Sequence, residues 1–221
     1  MNEDLVVAFD VDGILNKGTT LETATLFLRK KFNDKLAHIS GDFSKSKEAK
    51  EITTMLLVLP WLGEYIKHAV RTMNVEVLEQ IADFKESQLK KPNLKTSLIV
   101  ASGRSSRLTR LTQGKIETAG YGNLFDAYYL RPAGYSSPGW KNHLSDTFFP
   151  CHIYVHIDDD PLAGHALLKT TTPGRQKVAY IVNGGLAVNP SLMKRAGVVN
   201  PSELHIVRTV AQALSGAANL G

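Results

Sequence analysis

Four short stretches of this chain carry side chains suited to moving a phosphoryl group: Asp10 with Asp12, Ser102, Lys141, and the run Asp158-Asp159-Asp160. Asp10 and Asp12 lie two apart, so on a strand they share a face, and once the chain curls at Gly13 both can reach one small volume. Acids crowded in this way repel each other, and a divalent cation is the simplest means of keeping both useful. In such a site a metal bridges acids and phosphate, the hydroxyl and the lysine bind phosphate oxygens, and one carboxylate attacks phosphorus. Positive charge is essential, because a carboxylate approaching a phosphate dianion is otherwise repelled; Mg²⁺ and Lys141 are its expected sources. An all-oxygen ligand set favours Mg²⁺ over softer metals.

These residues need elements that bring them together. Leu5 to Phe9, directly before Asp10, is apolar with no polar alternation, which predicts a strand buried on both faces. Further strands are predicted at 95–101, ending at Ser102-Gly103-Arg104, at 127–130, at 152–157, ending at Asp158, and at 177–182. Helical patterns over 105–113, 141–148, 161–169 and 201–217 separate or follow them, the last with Pro201 and Ser202 as start signals. Strands alternating with helices predict an α/β fold: a Rossmann-like parallel sheet with helices on both faces. Ligands of such sheets bind beyond the carboxyl ends of the strands, where three of the four stretches fall, with Lys141 between the last two.

Between the first two strands lies a long segment with little β character. Apolar residues at helical spacing over 22–31, 45–57, 62–73 and 75–89 predict helices, with 33–44 a loop and Pro60 a break. The expected organisation is therefore a core of residues 1–15 and 91–221 with a helical cap insertion at 16–90.

The 221 residues, 43% of them hydrophobic, suffice for one such core, and the net charge of +5 is unevenly spread. Residues 1–15 hold four acids and no base, whereas 91–149 hold eight Lys or Arg against three acids, an excess that could attract an anionic substrate. Cys151 is the single cysteine, which rules out an intrachain disulfide and suggests a reducing compartment. Glu3 and Asp4 stand where an export signal would be basic, and no apolar stretch nears the roughly 20 residues of a membrane span, so a cytoplasmic protein without membrane partners is expected.

The motif Asp10-Val11-Asp12-Gly13, with Ser102, Lys141 and Asp158-Asp159 in that order, resembles the haloacid dehalogenase-like superfamily over nearly the whole chain. The resemblance implies that Asp10 is the nucleophile of an aspartyl-phosphate intermediate. It makes Asp12 the general acid/base, an assignment that favours phosphatases and phosphomutases over dehalogenases and P-type pumps. Ser102 would bond the transferred phosphoryl group, with Gly103 allowing close approach of the backbone, and Lys141 would neutralise charge. Asp158 and Asp159 would hold Mg²⁺ with Asp10 and the Asp12 carbonyl, and the insertion would be a lid that selects the substrate. A Mg²⁺-dependent phosphatase acting on a phosphorylated small molecule or macromolecule is the expected function. A narrower likeness, in SGRSSRLTRLTQGKIETAGYGNLFDAYYLRP, is to the superfamily domains of RNA-repair and polynucleotide phosphatases, with Arg131 where those carry Lys.

Other readings stand beside these. A nucleotide or nucleic-acid-end phosphatase would use the basic middle segment, and a phosphomutase or a regulatory binding module could keep the same residues. Arg104, Arg107 and Arg110 at three-residue spacing could form one basic helical face, or a solvated stripe, with Arg104 favoured as substrate-binding by its place beside Ser102. Asp160 before Pro161 reads as a helix cap. His156 inside an apolar strand reads as a satisfied core histidine, while His143 and His165 lack metal-ligand spacing. Trp61, Tyr65 and Phe84 read as cap core, and Trp140 as either pocket lining or packing.

Overall fold

The computed structural model describes residues 4–16, 71–91, 93–149, 153–169, 174–182 and 204–220. The chain divides into two compact units, 1–17 with 73–221 and 18–72, and all described residues but 71 and 72 lie in the first. Its centre is a six-stranded sheet of β1 (Leu5–Phe9), β2 (Thr96–Ser105), β3 (Ala127–Arg131), β4 (Ile153–Asp158), β5 (Gln176–Val182) and β6 (Leu204–Val207). Every pairing is parallel and the spatial order is β3-β2-β1-β4-β5-β6. The order reverses between β1 and β4. That switch point opens a crevice beyond the carboxyl ends of the two strands.

Helices α1 (Val75–Leu89), α2 (Thr109–Thr118), α3 (Ser137–Phe148), α4 (Pro161–Leu168) and α5 (Val210–Ala218) cover the sheet. Alternate residues of β1 go to opposite sides: Leu5, Val7 and Phe9 join one apolar cluster with Leu78, Ile81, Ile116 and Leu214, while Val6 and Ala8 join another with Trp140, Leu144 and Leu167. All five β1 residues are fully buried, which is why their sequence shows no polar alternation. The fold is thus the expected α/β sheet with helices on both faces.

Three expectations are corrected. The helix at 75–89 was expected in the cap but packs on the core, because Val77, Leu78, Ile81 and Phe84 form an apolar stripe that the sheet buries. Residues 71–73, expected to end a helix, are not helical, and Met73 pairs instead with Asn16 as an isolated antiparallel bridge. The C-terminal stretch opens with β6 before its helix. Leu204 is buried against the sheet and Thr209 caps α5, its hydroxyl accepting from the Gln212 N–H (3.3 Å), so the helix starts later than the apolar period suggested. The other cap helices, Trp61, Tyr65 and Cys151 lie outside the described residues. Among the described residues no helix is long and apolar enough to cross a membrane.

Candidate active site

Strand register decides the geometry. Ala8 pairs with His156 and Phe9 with Ile157, and the Asp10 N–H donates to the Ile157 carbonyl (2.9 Å), so Asp10 leaves β1 beside Asp158 at the end of β4. Both carboxylates continue the face of Val6 and Ala8 on one strand and of Tyr154 and His156 on the other, the face that α3 covers. From α3, Lys141 reaches between them: its Nζ lies 2.5 Å from Asp158 Oδ2 and 3.1 Å from Asp10 Oδ1. The three are nearly sealed from water, with exposures of 2% for Lys141, 4% for Asp10 and 0% for Asp158.

Past Asp10 the chain turns sharply. The Asp12 N–H donates to Asp10 Oδ2 (3.1 Å), and Gly13 takes a left-handed φ of 79°. A Cβ on Gly13 would run into the Asp159 carboxylate, so the glycine is what lets this acid lie against the turn. Asp10, Asp158 and Asp159 each bring an oxygen within 4.8 Å of the others. Asp159 is the exposed member.

The three acids differ in how they are satisfied. Asp158 Oδ2 accepts from Lys141 and faces His156 Nε2 (2.8 Å), and Oδ1 accepts from the Asp160 N–H (3.0 Å). Burial alone would raise the Asp158 carboxyl, but Lys141 and His156 outweigh it and hold it well below the ordinary carboxylate range. Asp10 has less support, since its Oδ1 touches Lys141 as an ion pair yet takes no hydrogen bond. Burial pushes its carboxyl up, Lys141 opposes this, and Asp158 reinforces it. Asp159 is pushed up to about 7, by burial and then by the charges of Asp158 and Asp10, with Lys141 opposing. Burial would lower the Lys141 ammonium, but Asp10 and Asp158 prevail and keep it charged.

Three carboxylates against one ammonium leave two negative charges in a pocket of oxygen atoms, one of them an unbonded buried carboxylate oxygen. This donor set fits a hard divalent cation.

Ser102 ends the regular part of β2 at the same end of the sheet, 1% exposed, its Oγ accepting from the Arg104 N–H (3.3 Å). Gly103 is pressed against α3, where a Cβ would strike the Ser137 hydroxyl. Arg104 is buried, and its Nε donates to Asp12 Oδ2 (2.9 Å) while its Nη2 grips Asp12 Oδ1, so the guanidinium and the carboxylate make a two-point pair. The Asp12 side chain therefore faces Arg104 and takes no part in the acid cluster. The arginine face does not form: Arg104 belongs to β2, Arg107 to a short 3₁₀ turn and Arg110 to α2, because the strand runs on to Ser105 before the helix begins.

Asp160 caps α4, accepting from the Leu162 N–H (2.9 Å). Trp140 is packed under the site, 5% exposed, its ring edge to face with Tyr135 and Phe148. His143 stacks on Tyr135, away from the acids.

Two contributors escaped sequence reasoning. His156 supports Asp158; the signal was their spacing of two on one strand, which puts them on one face. Arg131 is the other, its Nε donating to the Gly103 carbonyl (2.7 Å) and its Nη1 to the Tyr135 carbonyl (2.7 Å), which ties the Ser102 turn to the start of α3. The rest of the FDAYYLRP segment is also structural: Phe125 meets Phe9 edge to face, and Asp126 accepts from the Leu98 N–H (2.7 Å).

No family model matches this chain, and no curated protein matches it. Among solved structures it is similar to a haloacid dehalogenase-like family hydrolase from Streptococcus pneumoniae, with 12% identity, a TM-score of 0.53 and 98% of each chain covered. At that identity the likeness is one of architecture, and it establishes that this chain has the haloacid dehalogenase-like fold.

Proposed function

We propose that the protein is a hydrolase of this fold that acts on a phosphomonoester through an aspartyl-phosphate formed on Asp10. The observation that carries the reading is the buried Asp10 carboxylate, with one oxygen free of hydrogen bonds, beside the Lys141 ammonium. A carboxylate held this way keeps a lone pair for attack on phosphorus while the adjacent cation offsets its repulsion from phosphate. Mg²⁺ would be held in the acid cluster by Asp10, Asp159 and the Asp12 carbonyl, with the Asp158–Lys141 pair beside them, where it would supply charge neutralisation and polarise the phosphoryl oxygens.

The chain's own residues supply the remaining parts. Asp10 Oδ1 bonds to phosphorus as the ester oxygen leaves, and Asp12, which takes up a proton from solvent on turning away from Arg104, gives that proton to the ester oxygen. Asp12 then takes a proton from the water that cleaves the acyl phosphate, which returns Asp10 to its carboxylate and releases inorganic phosphate. To do this Asp12 must turn one oxygen away from Arg104, so the pair with Arg104 holds the proton carrier in readiness two residues beyond the nucleophile. Ser102 and the nearby backbone bind the phosphoryl group, and Lys141 stays protonated throughout.

Release of inorganic phosphate from generic phosphomonoesters by purified protein with Mg²⁺ tests the reading. Asp10→Asn is expected to lower kcat by about a thousandfold or more. Full activity in that variant, or no phosphate from any ester with the wild type, would sink it.

A further inference from the structure

His156 lies directly beneath the site and has no part in the reaction just described. It is 0% exposed, on the strand face that also carries Tyr154 and Asp158, and it sits across from Ala8, whose small side chain leaves it room. Its ring stacks on Tyr154 at an interplanar angle of 12°, so packing fixes its plane. Its Nε2 is 2.8 Å from Asp158 Oδ2, the oxygen that also receives Lys141, and its Nδ1 has no partner among the described residues. Because Asp158 is an acceptor, Nε2 carries a hydrogen and donates it to Oδ2.

From this arrangement, and resting on the proposed function, we infer that His156 is a positioning residue that commits Asp158 to Lys141 as its counter-ion and leaves the divalent ion to Asp10 and Asp159. Three donors converge on Asp158, two on Oδ2 and one on Oδ1, so its carboxylate cannot rotate without breaking at least one bond. The carboxylate in turn anchors Lys141 at the distance from Asp10 that the reaction needs. Without His156, Asp158 is free to swing toward the ion and draw Lys141 off Asp10.

The test compares His156→Met, which fills the space without a donor, with His156→Gln, whose amide nitrogen reaches the place of Nε2. His156→Asn, whose amide matches Nδ1 instead, is the control. In His156→Met and His156→Asn, kcat for phosphate release is expected to fall about 10–100-fold. KM and the Mg²⁺ affinity measured by calorimetry without substrate should stay within a few-fold of wild type, and His156→Gln should recover most of the loss.

Loss of Mg²⁺ affinity in step with kcat would overturn the inference by placing Asp158 on the ion. Unchanged kcat, or a His156→Gln variant as poor as His156→Asn, would reduce the residue to packing. Should His156→Met not fold, the Gln and Asn pair decides alone. If the wild type releases no phosphate, the functional reading falls, and His156 is still judged by calorimetry and by two-bond ¹H–¹⁵N correlation of its ring. Hydrogen on Nε2 supports the inference; a bare Nε2 overturns it.

Discussion

The turns that end β1 and β4 present one chemical group in two conditions. Asp10 and Asp158 are neighbours on one face of the sheet, both buried and both beside Lys141, yet burial leaves the first raised and the donors around the second hold it low. Burial and the lysine's charge are shared, so the difference lies in the other neighbours: His156 helps hold Asp158 low, whereas the charge of Asp158 adds to the rise at Asp10. Three donors converge on Asp158. A saturated carboxylate is a structural anion and an unsaturated one is available to react.

Removing the shared cation should break the contrast most severely. Lys141→Met leaves two buried carboxylates unpaired, and equilibrium denaturation is expected to show a loss of about 3–5 kcal/mol, together with loss of phosphate release. Neutralising each acid separately should then give changes of opposite sign. Asp158→Asn removes an acceptor that three donors need and is expected to cost about 2–4 kcal/mol at neutral pH. Asp10 is raised, so its ionised form opposes folding above its ordinary range, and Asp10→Asn is expected to raise the melting temperature even as it abolishes turnover. About 2–4 °C per kcal/mol is expected for a domain of this size. A stabilised Asp158→Asn variant would invert the comparison.

Gly13→Ala tests the turn itself. An alanine at a φ of 79° costs about 1–2 kcal/mol, and its methyl would displace Asp159, so Mg²⁺ affinity by calorimetry should fall about tenfold. The smallest effect concerns pH. Asp159 is raised to about 7, so the metal-free protein loses stability as pH rises through that value, while a cation among the acids offsets the loss. The rise in melting temperature on adding Mg²⁺ should therefore be larger at pH 8 than at pH 6, and an equal rise at both would remove Asp159 from the ion's surroundings.

Much of this was legible in the chain because it is local. An apolar run without polar alternation marks a strand buried on both faces, and Leu5 to Phe9 is one; an acid placed just after such a run lands at the carboxyl end of the sheet. Asp160 before Pro161 reads as a helix cap for the same reason, since the bond it makes reaches only two residues along. The helix at 75–89 was equally legible as a helix, but its periodicity says only that one side is apolar. Nothing in it states that the sheet covers that side. The pattern at 201–217 failed differently, since a four-residue strand is too short for its period to stand apart from the helix that follows.

By itself the amino-acid sequence determined the alternation of strands and helices, hence the α/β class, and which side chains stand at the strand ends. Only the tertiary structure decided what each of them touches. The partners of Asp10, Asp12 and Asp158 arrive from other strands and from α3, through strand register and helix packing that no short window of sequence encodes. What surrounds a buried carboxylate depends on those distant groups, and so the difference between Asp10 and Asp158 is a property of the fold.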